Sequence, residues 1–204
     1  MNRLYFCMIP YYLFYDGTEA PEVPECMNFL PIDLEGEDGS VNEVMFGALT
    51  AKKQLPQTIF HHDENAMMCE DVTVVFCAVA PNGAVVTVGW YAHANISRVP
   101  EYLPLTSDNG IHSDHPFFFC TLRGNACLLP EEERFRPMWQ IPRNKSANKN
   151  KFGFSADPFW CAEEPSAAAW KRAFGENIVC YTANGYNMLQ DEVFSDSDEG
   201  NCRI

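Results

Sequence analysis

The sequence predicts an α+β fold, a single domain on a strongly bent mixed or antiparallel sheet with few peripheral helices. Three observations carry this. Residues 72–91 read as two β-rich runs of Val, Thr, Phe, Trp and Tyr joined at Pro81, Asn82 and Gly83, a turn chemistry that tolerates the positive φ of a tight hairpin. Neither run alternates cleanly between apolar and polar residues, so both faces of this pair are expected to be covered. Finally, 204 residues with 47% hydrophobic content suit one sizeable core, and the best helix signal, 165–175, is too short to stand without docking on a sheet.

In chain order, residues 3–15 read as a first strand running into a turn or short helix at Asp16 and Gly17. Two prolines and three glutamates make 18–26 a surface loop. Residues 27–31 form a short apolar insertion, 35–40 an acidic loop, and 44–49 a strand. Residues 52–70 have no firm period. The runs 72–80 and 84–91 are expected to be adjacent central strands, with Gly89 marking a bulge that seats Trp90 and Tyr91 or a close backbone approach. The Phe117, Phe118, Phe119 run and residues 126–130 add further strands. For 165–175, Pro165 at the start, alanines within, Lys171 and Arg172 late and Gly175 at the end outline a helix, expected over 166–174. The last residues, with Asp191, Glu192, Asp196, Asp198 and Glu199, are expected to be a disordered acidic tail.

No apolar run reaches the roughly 18–20 residues of a membrane span. The N-terminal apolar stretch is broken by Pro10 and lacks a small-residue cleavage site, so it reads as core. Nine cysteines, odd in number and without a Cys-x-x-Cys pair, sit partly inside apolar runs, as Cys77 and Cys120 do. That usage points to a reducing, cytoplasmic setting, not a disulfide scaffold.

A formal charge of −14 opposes phosphate binding in general, but the charge is segregated. Residues 4–51 hold no Lys or Arg and carry Asp16, Glu19, Glu22, Glu25, Asp33, Glu35, Glu37, Asp38 and Glu43. Residues 134–156 hold no acid and carry Arg134, Arg136, Arg143, Lys145, Lys149 and Lys151. Metal spacing is weak. His61, His62, Asp63 and Glu64 are consecutive, so their side chains diverge, and His112 and His115 lie in an expected loop with no further partners.

Several short boxes occur in a telling order: the opening strand of 4–17, Asn-Phe-Leu-Pro at 28–31, Val-Gly-Trp-Tyr at 88–91 with Asn95 following, Leu-Leu-Pro-x-Glu-Glu-Arg at 128–134, Ile-Pro-Arg at 141–143 and Gly-Phe-Ser-x-x-x-Phe-Trp at 153–160. In this series the chain resembles a family of bacterial proteins and of N-terminal modules found beside HNH-type nuclease domains in restriction and phage-defence proteins. The Gly-Trp-Tyr strand also resembles that of the PUA, ASCH and EVE group of small barrels, which bind RNA or modified DNA bases. The first resemblance covers 1–161, so 162–188 is expected to be a helical appendage to a globular unit of 1–188, with 189–204 as the tail. The second implies a PUA/EVE-like barrel. Where family members carry Lys-Asn-Ala-Thr after Gly-Trp-Tyr, this chain has Ala92, His93, Ala94 and Asn95, so one cation is lost, and no His-Asn-His-type arrangement follows residue 161.

Two functional readings follow. The first is a non-catalytic nucleic-acid recognition module for DNA or RNA, including modified bases, with Trp90, Tyr91, Trp139 and Trp160 as stacking rings and Arg143, Lys145, Lys149 and Lys151 on phosphates. For any single ring, a core position outranks a ligand contact. The second is a protein-interaction or inhibitory protein that uses the acids of 16–43 and 191–199 against a basic partner. An acidic surface also serves solubility alone. No phosphate loop or nucleophile elbow is present, so no catalytic residue, metal or cofactor is assigned. Nine cysteines and five histidines leave a Cys/His pair open, but no spacing singles one out.

Overall fold

A computed structural model of the chain describes residues 3–36, 38–60, 65–106, 112–143, 153–154 and 157–190. The strands are β1 (Arg3–Met8), β2 (Pro31–Glu35), β3 (Val41–Gly47), β4 (Met68–Val79), β5 (Val85–Thr106), β6 (His112–Leu122), β7 (Ala126–Leu128) and β8 (Phe159–Trp160). Two α-helices, α1 (Glu131–Arg134) and α2 (Ala168–Asn184), and several short 3-10 turns complete the described elements. The strands form one mixed sheet of order β2-β3-β6-β5-β4-β1-β8, with β7 on β5. Among the described strands only β1 and β4 run parallel; every other pair is antiparallel. Among the described residues the sheet stays open, ending at β2 and β8, and does not close into the barrel that the sequence suggested.

The central hairpin forms as its turn chemistry requires. The Gly83 amide donates to the Ala80 carbonyl, the Ala80 amide to the Ala84 carbonyl, and the Asn82 side chain accepts from the Ala84 amide. Alternation then divides the side chains between two cores. On one face lie Tyr5, Cys7, Val72, Val74, Phe76, Val88 and Tyr91. On the other lie Leu4, Phe6, Val75, Cys77, Trp90, Trp139 and Trp160. Both faces of the central strands are therefore dry, which is why the sequence lacks a polar alternation there.

Gly89 serves both purposes expected of it. The pairing slips between Phe76 and Cys77, a bulge in β5. A Cβ at Gly89 would stand 2.2 Å from the Cys127 carbonyl oxygen, so only glycine lets β7 approach β5. A larger slip lies between Ile96 and Glu101 in the β5–β6 pairing, beyond which β5 pairs along β6.

Three boundaries differ from the sequence reading. Strand β1 ends at Met8, because Pro10 cannot donate to a ladder. The acidic loop expected at 35–40 lies between β2 and β3, but its first residue, Glu35, still belongs to β2. Helix α2 does not stop at Gly175 but runs to Asn184. Glycine inside a helix costs about 1 kcal/mol, but burial of Phe174 and Ile178, one turn apart, outweighs it at roughly 1.5–3 kcal/mol per side chain. With Ala167, Phe174 and Ile178 in the second core, α2 and the turn before it pack on that face of the sheet. No helix among the described residues is long and apolar enough to cross a membrane.

Candidate functional site

The four aromatic residues singled out in the sequence all lie inside. Trp90 packs on Trp139 at 5.3 Å between ring centroids and meets the edge of Tyr181. Tyr91 is enclosed by Phe29 and Phe76, and its hydroxyl donates to the Asn28 carbonyl. Trp160 stacks on Trp170 at 5.5 Å, touches Phe6, and donates from Nε1 to the Glu164 carboxylate at 3.0 Å. At 8% or less exposure, none offers an open face to a base, which corrects their assignment as a stacking platform. The physical reason is the two-faced sheet: consecutive Trp90 and Tyr91 fill one core each.

The basic stretch is likewise sorted by the fold. Arg134 is fully buried; its guanidinium donates to the carbonyls of Leu129 (2.9 Å), Tyr12 (2.7 Å) and Leu13 (2.6 Å), so it ties the start of α1 to the loop after β1. Arg136 pairs with Glu133 at 2.6 Å. Arg143 is exposed and bridges to Phe154 across the two ends of the segment 144–152. Gly153 makes that bridge possible: its φ is +120°, and a Cβ there would stand 2.5 Å from the Pro142 carbonyl oxygen. Lys145, Lys149 and Lys151 lie outside the described residues, as do His61, His62, Asp63 and Glu64. Among the described residues no three His, Cys, Asp or Glu side chains gather as a metal site. The His112–His115 segment is strand β6 and not a loop, and His115 is buried.

Two features were not read from the sequence. The first is a groove of about 410 Å³ whose walls are Leu49, Thr50, Lys52 and Lys53 on one side and Pro100, Tyr102, Pro116 and Phe118 on the other. The Glu25 carboxylate, itself buried, accepts from the Thr50 amide (2.6 Å) and hydroxyl (2.5 Å) and fixes the first wall. Tyr102 pairs in register with Pro116 and stands 62% exposed. Lys52 reaches Asp157 at 2.7 Å, which joins the groove to the chain just after the basic stretch. The available signal was the adjacent pair Lys52 and Lys53 ending a segment of 48 residues without a cation.

The second is a strained pair. His93 (φ 49°) and Asp71 (φ 54°) occupy the left-handed region on neighbouring strands, where the β4–β5 register slips, and His93 Nδ1 lies 2.7 Å from the Asp71 carboxylate. The carboxylate orients the ring and favours the proton on Nδ1. His93 borders two clefts, of about 380 and 210 Å³, that flank the C-terminal half of α2. Nothing in the residue pattern around 71 and 93 foretold this, because the register slip depends on both strands.

The thiols are set by packing. Burial pushes Cys7 and Cys77 well above the ordinary thiol range and Cys127 up to about 12, which keeps them as protonated hydrophobes. Comparison of the chain with family models, with curated proteins and with solved structures gives no match.

Proposed function

We propose that this protein is a nucleic-acid recognition module without catalytic chemistry of its own, which meets phosphates through Arg143, Lys145, Lys149 and Lys151. The observation that carries the reading is the sorting of cations. Among the described residues, Arg134 and Lys171 are spent on backbone carbonyls, and Lys52, Arg123 and Arg136 on carboxylates. Arg143, by contrast, is exposed and opens onto a stretch that carries three lysines and no acid. With −14 overall, phosphate contacts must come from such a local patch. The ordered series of boxes supports a role in restriction or phage defence; the raised thiols support reading the cysteines as packing.

The test is binding to duplex and single-stranded DNA, with and without modified bases, and to RNA, across a salt series. Changing Lys145, Lys149 and Lys151 together to Gln is expected to weaken binding equally for all sequences and to lower the salt slope by about 2–3. A variant that binds as the parent does overturns this interface.

A second reading is favoured by the open edge of the sheet. Strand β2 ends the sheet path, and Asp33, Leu34 and Glu35 on it are exposed, as are Val41, Asn42 and Glu43 opposite. An acidic strand whose outer edge meets no other strand among the described residues suits a basic extended segment added as a further strand. Absence of any nucleic-acid binding at low salt would leave this reading in place.

A further inference from the structure

The nucleic-acid reading assigned phosphates to the basic stretch but left no ring for a base, since Trp90, Tyr91, Trp139 and Trp160 are core residues. We propose that the groove between residues 49–53 and the β5–β6 ladder seats one unpaired base of a single-stranded nucleic acid, with Tyr102 as the stacking face and Lys53 as the phosphate contact. This rests on the nucleic-acid reading of the chain and adds the place and the strandedness of the ligand.

Four observations support the seat. Tyr102 is the most exposed tyrosine or phenylalanine among the described residues, at 62%. Its neighbours are stiff: Pro100 lies two positions before it on β5, and Pro116 is its cross-strand partner. A ring fixed on rigid backbone loses little freedom when a base stacks on it. The groove volume of about 410 Å³ is at the small end of ligand pockets, suited to one nucleoside. On the opposite wall Lys53 is exposed and pairs with no carboxylate among the described residues, while Lys52 is held by Asp157. Asp157 follows Lys151 by six residues, so at most about 20 Å of extended chain separates the groove from the end of the basic stretch. A strand of a few nucleotides can touch both.

The charge around the groove limits what binds. Asp157 competes for Lys52, Glu101 and Asp114 are exposed on the ladder, and the Glu25 carboxylate stands behind Thr50. Thr50 donates its hydroxyl to Glu25, so it is a wall and not a phosphate donor. One base with one phosphate contact is therefore the capacity of the groove. A duplex, whose bases are stacked on each other, cannot fill it.

The experiment is fluorescence anisotropy of labelled oligothymidylate, oligoadenylate and a duplex of equal length, over a salt series beginning at about 20 mM. The proteins are the parent chain, Tyr102→Leu, Tyr102→Phe, Lys53→Gln and the triple variant of Lys145, Lys149 and Lys151. Both positions are exposed, so thermal melting is expected to stay at the parent value. Tyr102→Leu should weaken single-strand binding by roughly tenfold with an unchanged salt slope, and Tyr102→Phe should restore it. Lys53→Gln should lower the slope by about 0.7, the value for one phosphate on a single strand. Binding of Tyr102→Leu within about twofold of the parent, or a parent that binds duplex and no single strand, overturns the groove and leaves the nucleic-acid reading standing. A parent that binds none of the probes ends both.

Discussion

Arg134 occupies the kind of position that a basic stretch in a sequence conceals. Its guanidinium is enclosed, flanked by the rings of Tyr11 and Tyr15 at 5.7 and 5.8 Å, and satisfied by three carbonyls from two segments more than 110 residues apart. Removing it orphans those carbonyls, so Arg134→Met is expected to cost about 3 kcal/mol or more in chemical denaturation. Arg134→Lys should cost nearly as much, because one ammonium cannot reproduce the fork. His115 gives a pH dependence. Burial lowers its pKa from the ordinary 6.5, against the opposing charge of Glu25. The folded state therefore takes up the proton less readily than the unfolded chain. Its contribution to stability is complete above about pH 6.5 and is lost as pH falls toward the lowered folded value. Melting temperature should drop between about pH 7 and pH 5.5 in the parent, and His115→Gln should flatten that drop.

At the scale of elements, β7 shows how a three-residue strand survives. It pairs with β5 along one edge, and on the other the Asn187 side chain accepts from the Leu128 amide at 3.0 Å and donates to the Ala126 carbonyl at 2.9 Å. The segment after α2 thus covers the free edge of β7. It continues into Leu189, which is buried in the first core, and whose carbonyl accepts from Arg123 at 2.6 Å. The boundary expected at 189 therefore falls inside the packed unit, and residues 191–204 lie outside the described residues. A chain ending at Met188 is expected to melt about 5–10 °C below one ending at Gln190, from the loss of one buried leucine worth roughly 2–3 kcal/mol. Equal melting of the two would show that Leu189 is dispensable.

At the scale of the whole molecule, the two cores and the distribution of charge decide what the surface can offer. Each face of the central sheet is filled by its own aromatic cluster, and the open end at β2 carries acids while the exposed Arg143 lies on the side of β8 and α2. The central hairpin, the Gly89 bulge and, to within two residues, the start of α2 were legible in the residues, because turn chemistry, β-branched runs and a proline that opens the first helical turn act between neighbours in the chain. The true end of α2 was not, since burial of Ile178 against strands far away in sequence overrides a local glycine signal. The same limit applies to the site. Exposure of Arg143, burial of Arg134 and Trp90, the groove beside Tyr102 and the His93–Asp71 pair all depend on which strands meet and in what register. Composition and spacing can name the rings and cations of this protein. Only the pairing of strands distant in sequence decides which of them face inward and which reach water, because side-chain direction in a sheet changes with every one-residue slip.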